Sequence, residues 1–429
     1  MNWNETKTLL NKLYEAAVTA AHPAHCLVPH LPPMPARGNV IIIAAGKAGG
    51  SMAEVAERHY LEAGLAPERL SGIAVSRHGY GRPLKKIEMV EAGHPMPDEA
   101  GIKSAEKVLR IASAATENDL VLVLMSGGAS ANLIAPAEGI TLDDKRALTK
   151  QLLASGANIG EINTVRKHLS RIKGGRLAVA ANRAKLVTFA ISDVPGDDPS
   201  VIGSGPTVPD TSTLADARAI LQRRQISLSA AIAAALDNPN NESPKPDHPA
   251  FRNSKFHIVA RPADSLTAAA KAARDAVLAP VVLGADLEGE ARDVAVQHAK
   301  QAKSLAATGR RSVLLSGGEL TVTMTGNGRG GPNQEYALAL ALALSGTPKI
   351  SAVAGDTDGT DGGGGDASDP AGAFVSETTL SRAKALGLNA AKLLANNDST
   401  TFFEKLGDLL KPGPTYTNVN DLRAVLIDT

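Results

Sequence analysis

NVIIIAAGKAGGSM (39–52) decides how the first half of this chain folds. Its opening run, 39–46, is continuously apolar and stops at a glycine, as a strand does when a parallel sheet covers both its faces. The residues that follow, KAGGSMAEVAERHYLEAG (47–64), place small and apolar side chains at helical spacing. The unit is therefore strand, tight turn, helix, with Gly46 and Lys47 in the turn.

The same grammar recurs at GIAVSRHG (72–79), DLVLVLMSGG (119–128) and KLVTFAISDV (185–194), with helices expected over 98–115 and 141–155 between them. That alternation is the signature of a doubly wound α/β sheet. A helix over 5–20 opens the chain, and the proline-rich 21–38 connects it to the first strand. The polar, aperiodic DNPNNESPKPDHPAFRNS (237–254) reads as a surface loop or connection, and a domain boundary is expected there. Beyond it KFHIVA, VVLGAD, RSVLLSGGE and KISAVAGD read as strands, with helices over 264–277 and 289–306. The expectation is two α/β domains. The first, 1–240, carries a doubly wound Rossmann-like parallel sheet, and the second, 255–429, a mixed α/β sheet.

Composition narrows the function. Lysine plus arginine total 45 against 44 acidic residues, so no net field advertises nucleic acid or an anionic membrane. Aromatic residues are 3% of the chain while glycine numbers 40, which suits backbone loops around small anions better than stacking platforms for bases. One cysteine, Cys26, excludes an internal disulfide framework. With no leader-like start and no long apolar run, the expected compartment is the cytoplasm. Small molecules are the expected partners, with neither nucleic acid nor membrane, and a homo-oligomer is left open.

In open parallel sheets ligands bind beyond the carboxyl ends of the strands, which is where the reactive residue types of these segments fall. The turn AAGKAGGSM (44–52) offers Lys47 and N–H groups at a helix start, an anion-binding arrangement, although it matches neither the dinucleotide fingerprint nor the P-loop. SGGAS contributes Ser126, Gly127, Gly128, Ala129 and Ser130, a loop whose donors suit a carboxylate or phosphate, or else a plain turn. NTVRKHLSRIKGGRLA (163–178) concentrates Arg166, Lys167, His168, Arg171, Lys173 and Arg176, most of them expected in solvent with Lys167 or Lys173 pointing inward. ISDVPGDDPSVIGSGPTVPD (191–210) brings Asp193, Asp197 and Asp198 beside Gly203, Ser204 and Gly205, a combination suited to a hydrated Mg²⁺ carried by nucleotide phosphates. In the second half SGGELTVTMTGNGRGGPNQE (316–335) holds Glu319, Arg329, Asn333, Gln334 and Glu335. Arg329, planar and always charged, suits a bidentate oxyanion. AGDTDGTDGGGGDASDP (354–370) sets Asp356, Asp358, Asp361, Asp366 and Asp369 among glycines, as a metal loop or a nucleotide-binding flap. The Ser-Gly-Gly after 122–125 and again after 313–315 reads as two phosphate or substrate loops facing a common cleft, or as coincidence.

Taken together, GKAGGSM, SGGASANL, NTVRKHLSRIKGGRLA, SDVPGDDPSVIGSGPTVPD, SGGELTVTMTGNGRGGPNQE and AGDTDGTDGGGGDASDP resemble the class II glycerate 2-kinases, whose second half is the MOFRL domain and whose members often carry the name hydroxypyruvate reductase. The resemblance spans roughly 5–425. It implies transfer of phosphate from ATP to the 2-hydroxyl of D-glycerate, with Mg²⁺ or another divalent cation, in a cleft between two α/β domains. It further implies Lys47 and Arg329 as the catalytic basic pair. Asp193 is then expected to orient the attacking hydroxyl, and Asp197, with Asp356, to reach the metal. The rival readings are an NAD(P)H-dependent hydroxypyruvate reductase, disfavoured by a first turn without dinucleotide spacing, and a non-enzymatic small-molecule sensor.

Overall fold

A computed structural model of the chain describes residues 1–364 and 366–428. Two compact units emerge, one of residues 26–259 and one that joins 260–429 to the N-terminal residues 1–25.

The unit of residues 26–259 is built on strands β1 (Val40–Ala45), β2 (Leu70–Arg77), β3 (Glu88–Ala92), β4 (Leu120–Met125), β5 (Lys185–Ile191) and β6 (Ser254–Ala260), ordered β3-β2-β1-β4-β5-β6. The pairs β1/β2, β1/β4, β2/β3 and β4/β5 are all parallel. Every residue of β1 and β4 is buried, as their uninterrupted apolar runs require. The order reverses between β1 and β4, so the crevice beyond their carboxyl ends is the topological switch point. The Lys47 turn and the Ser126 turn lie there. A second apolar cluster, with Leu148, Leu152, Val165, Leu169, Leu214 and Leu221, joins helices Leu142–Ala154, Ile159–His168 and Leu214–Arg223. Each of the three starts at a capping box, Thr141/Asp144, Asn158/Glu161 and Thr213/Asp216.

The other unit holds β7 (Ala279–Gly284), β8 (Ser312–Ser316), β9 (Ile350–Asp356), β10 (Gly372–Val375), β11 (Leu409–Leu410) and β12 (Asp421–Ile427), ordered β11-β10-β9-β12-β8-β7. β7/β8 is parallel, and β12 pairs antiparallel with both β8 and β9. The sheet is thus mixed, as expected, but its central strand β12 and the strands β3, β10 and β11 went unread in the sequence.

The opening helix, Trp3–Ala21, departs from the expected division. It belongs with 260–429, not with a first domain of 1–240, because Leu10, Leu13, Tyr14 and Ala17 share one core with Leu266, Ala269, Ala270 and Ala273 of helix Pro262–Asp275. Tyr14 OH donates to Asp356 O at 2.7 Å, and Ser265 Oγ to Ala17 O at 2.7 Å. The polar segment 237–254 stays inside the unit of 26–259, and the division falls after it, at 259/260. Polarity marks a surface segment, whereas only shared burial marks a domain.

Candidate active site

At the switch point the backbone of the β1 turn is locked to the β4 turn. Lys47 N donates to Gly127 O at 2.8 Å, and Ala48 N to the buried Ser126 Oγ at 2.8 Å. Gly49 N donates to Gly46 O at 2.9 Å and Gly50 N to Ser76 Oγ at 2.9 Å. The sequence reading expected free N–H groups at the start of helix Gly49–Glu62; the structure satisfies all four within the protein. Ser126, expected to touch ligand, instead caps this turn. Gly46 sits at φ +110°, and a side chain there would drive into Ser126, so the glycine serves the close approach of the two turns.

What the turn presents is the half-buried Lys47 side chain. Gly128, at φ +84°, has Lys47 Cγ and the His94 ring as neighbours at the position its own Cβ would take. Lys47, Gly128 and His94 thus meet at one point beyond β1, β4 and β3. No sequence motif marks His94.

Ala129 is buried, and its N–H donates to Ser126 O at 3.3 Å. Ser130 is bonded to three side chains: Ser204 Oγ at 2.8 Å, Lys173 Nζ at 2.8 Å and Arg166 at 2.8 Å. Gly203 and Gly205 both adopt φ +58°, which turns the chain so that Ser204 O and Gly205 O accept from Gly174 N and Gly175 N at 3.0 and 2.8 Å. The basic run is therefore clasped to this loop. Of its six basic residues only Arg171 is exposed; Lys167, His168 and Lys173 are buried and Arg166 and Arg176 half-buried. The expectation that most are solvated fails because the segment is hydrogen-bonded to the 203–205 loop and its basic side chains turn to backbone and hydroxyl acceptors inside the unit. Lys167 has an acid partner, Asp210, at 3.3 Å. Beyond β5, Asp193 and Asp197 are half-buried and Asp198 is exposed.

In the other unit, the loop of 321–331 follows β8. Its Gly326, Gly328 and Gly330 lie against Asn396, Asp398 and Ser399 too closely for any side chain, so these glycines serve packing. Arg329 projects from this loop with its side chain 64% exposed, 3.0 Å from Glu404. Glu319 is exposed. Asn333, Gln334 and Glu335, expected to bind ligand, are buried in the fold. Asn333 N and Gln334 N donate to the Asp361 carboxylate at 2.9 and 2.8 Å, and Glu335 pairs with Arg292 at 2.6 Å. Asp361 thus caps helix Pro332–Leu344, and burial, with Asp421 nearby, pushes its pKa up to about 7 against those hydrogen bonds. Asp356 and Asp358 are likewise used locally: Asp356 Oδ1 accepts from Asp358 N, and Asp358 Oδ1 from Thr360 N, both at 2.8 Å. Of the acidic loop, Gly365 lies outside the described residues. Among the described residues no group of three His, Cys, Asp or Glu side chains is placed to hold a metal. The second Ser-Gly-Gly is structural too, since the buried Arg423 donates to Gly317 O and Gly318 O.

Two family models match the chain, a domain of unknown function, DUF4147, over residues 9–237 and the MOFRL family over 312–421. A protein of Agrobacterium vitis named "Putative hydroxypyruvate reductase" is 47% identical over 100% of this chain and 96% of its own length. The glycerate 2-kinase of Pyrococcus horikoshii is 41% identical over 91% of this chain and 88% of its own. The crystal structure of a glycerate kinase from Thermotoga maritima superposes with a TM-score of 0.88 at 37% identity, covering 99% of this chain and 100% of that one. With both family models matched in order, and with likeness to a kinase running through sequence and fold alike, the chain belongs to the MOFRL-containing glycerate 2-kinase family.

Proposed function

We propose that the protein transfers the γ-phosphoryl group of ATP to the 2-hydroxyl of D-glycerate, giving 2-phosphoglycerate and ADP. The observation that carries this reading is the near-complete match, in sequence and in fold, to proteins named glycerate kinase. The hydroxyl oxygen gives up its proton and forms the new bond to the γ-phosphorus as the bond to the β-phosphate oxygen breaks, and ADP leaves. Asp193, beyond β5, accepts the hydrogen bond of the attacking hydroxyl and orients it. The Lys47 ammonium, on a turn whose backbone donors are all engaged, is the cation the first unit offers to the transferring oxygens. Arg329 is the second member of the basic pair that the family resemblance implies. Such a transfer asks mainly for positioning and charge neutralisation.

Asp197, half-buried and outside any closed cage, supplies a hard carboxylate oxygen, which fits Mg²⁺, an ion that keeps most of its waters and binds one or two protein carboxylates beside phosphate. When bound, the cation neutralises phosphate charge. Asp356, tied to its own loop, is the weaker candidate.

The reductase named among the relatives remains the second reading. The β1 turn weighs against it, because a dinucleotide pyrophosphate needs free N–H groups at the following helix, and these are satisfied internally. The deciding experiment incubates the purified protein with D-glycerate, ATP and Mg²⁺, separating 2-phosphoglycerate from 3-phosphoglycerate, beside NAD(P)H oxidation with hydroxypyruvate. ADP with 2-phosphoglycerate is expected; NAD(P)H oxidation without ADP release overturns the proposal.

A further inference from the structure

The basic run leaves a concentration of positive charge inside the unit of 26–259. Lys145 and Lys173 are only 6% and 1% exposed. Lys145 Nζ donates to Leu169 O at 2.8 Å, Lys173 Nζ to Ser130 O at 2.7 Å, and Arg166 to Ser130 O at 3.3 Å as well as to its hydroxyl. These acceptors are all neutral. The nearby acids are engaged elsewhere, Asp210 with Lys167 and Glu242 with His168 and Lys245, and among the described residues Lys145, Arg166 and Lys173 form no ion pair. Burial, with Arg166 adding repulsion, pushes Lys145 down to about 7 and Lys173 well below the usual lysine range. Burial without a counter-ion thus drives these lysines toward the neutral form, and an arriving anion favours the protonated one.

The geometry also says where the anion comes. Lys173 and Ser204 are buried, whereas Arg166 and Ser130 are half-buried and form the approachable side. Ser130 stands two residues after Gly128, the residue that Lys47 and His94 flank. In a 2-hydroxy acid the reacting hydroxyl is one carbon from the carboxylate. The carboxylate's anchor must then lie close to the cation that meets the phosphoryl group, and Ser130, two residues beyond the Gly128 that Lys47 flanks, meets that condition.

We propose that Arg166 and Ser130, backed by Lys173 and Ser204, bind the carboxylate of the hydroxy-acid substrate and so set its specificity. The guanidinium fork offers donors to the two carboxylate oxygens, and the Ser130 hydroxyl, which accepts from Arg166 and Lys173, holds that fork in place. The inference rests on the kinase reading for its substrate but is tested by binding, apart from turnover. Calorimetry of the full chain with D-glycerate and with glycerol, which lacks the carboxylate, is run on the wild type, Arg166→Met and Arg166→Lys, beside steady-state kinetics. D-glycerate is expected to bind the wild type and glycerol not. Arg166→Met should weaken D-glycerate binding and raise its KM about 10- to 100-fold, with the KM for ATP within about twofold and partial recovery in Arg166→Lys. If Arg166→Met does not fold, Ser130→Ala is read in the same way. Unchanged D-glycerate affinity in the folded variants, or a loss that falls on ATP, overturns the assignment. Arg166-dependent binding by a wild type that releases no ADP refutes the kinase reading alone; ADP release that ignores Arg166 refutes this inference alone.

Discussion

Lys47 and Gly46 are adjacent in sequence, yet their substitutions should separate function from stability. Lys47 contributes a half-buried charge and no core packing, so Lys47→Ala is expected to lower kcat by about 100-fold or more with Tm shifted by less than about 2 °C. ADP release and a thermal melt check it, and turnover within about tenfold of wild type would remove Lys47 from the mechanism. Gly46→Ala should do the reverse, forcing a side chain into φ +110° against Ser126. A loss on the order of 2–3 kcal/mol is expected by urea unfolding. For Arg329, the exposed pair with Glu404 is worth little, so Arg329→Ala should leave Tm unchanged while turnover falls. Lys47 and Arg329 are recognisable as candidates in the sequence because a cation among glycines is unusual. His94 and Arg166 are not, because their meaning comes only from neighbours far along the chain.

At the scale of the element, the glycine- and aspartate-rich loops prove to be mostly devices for ending strands and starting helices. The loop at 354–370 reads in the sequence as a metal loop or a nucleotide-binding flap, but its Asp361 is the cap of helix Pro332–Leu344. A carboxyl raised in the folded state binds its proton more tightly there than in the unfolded chain. Its stabilising contribution is therefore full below about pH 4 and is lost as pH rises through about 7. Asp361→Asn should abolish this component. The difference in urea midpoint between wild type and variant should change across pH 4–7 and level off above it, and a pH-independent difference would show that Asp361 is ionised throughout. Helix caps and metal ligands use the same residue types, which is why spacing alone did not separate them.

At the scale of the whole molecule, the discontinuous unit makes a prediction about fragments. Residues 26–259 are expected to fold alone, whereas 260–429 without 1–25 leaves the apolar face of Leu266, Ala269, Ala270 and Ala273 uncovered. The truncated fragment should bind a hydrophobic dye and aggregate, and co-expression with 1–25 should restore a cooperative melt. A soluble, cooperatively folded 260–429 would count against the shared core. The sequence by itself determined the strand–turn–helix units, the α/β class and the glycine turns, because apolar runs and helical periodicity are local consequences of which face is buried. Tertiary structure alone decided that Trp3–Ala21 joins the second unit and that β12 enters the centre of its sheet. It also decided that Ser126, Asn333, Gln334 and Glu335 are spent inside the fold while Arg166 and Lys173 converge on Ser130. Those outcomes rest on hydrogen bonds and burial between residues distant in the chain, and no local pattern records such pairings.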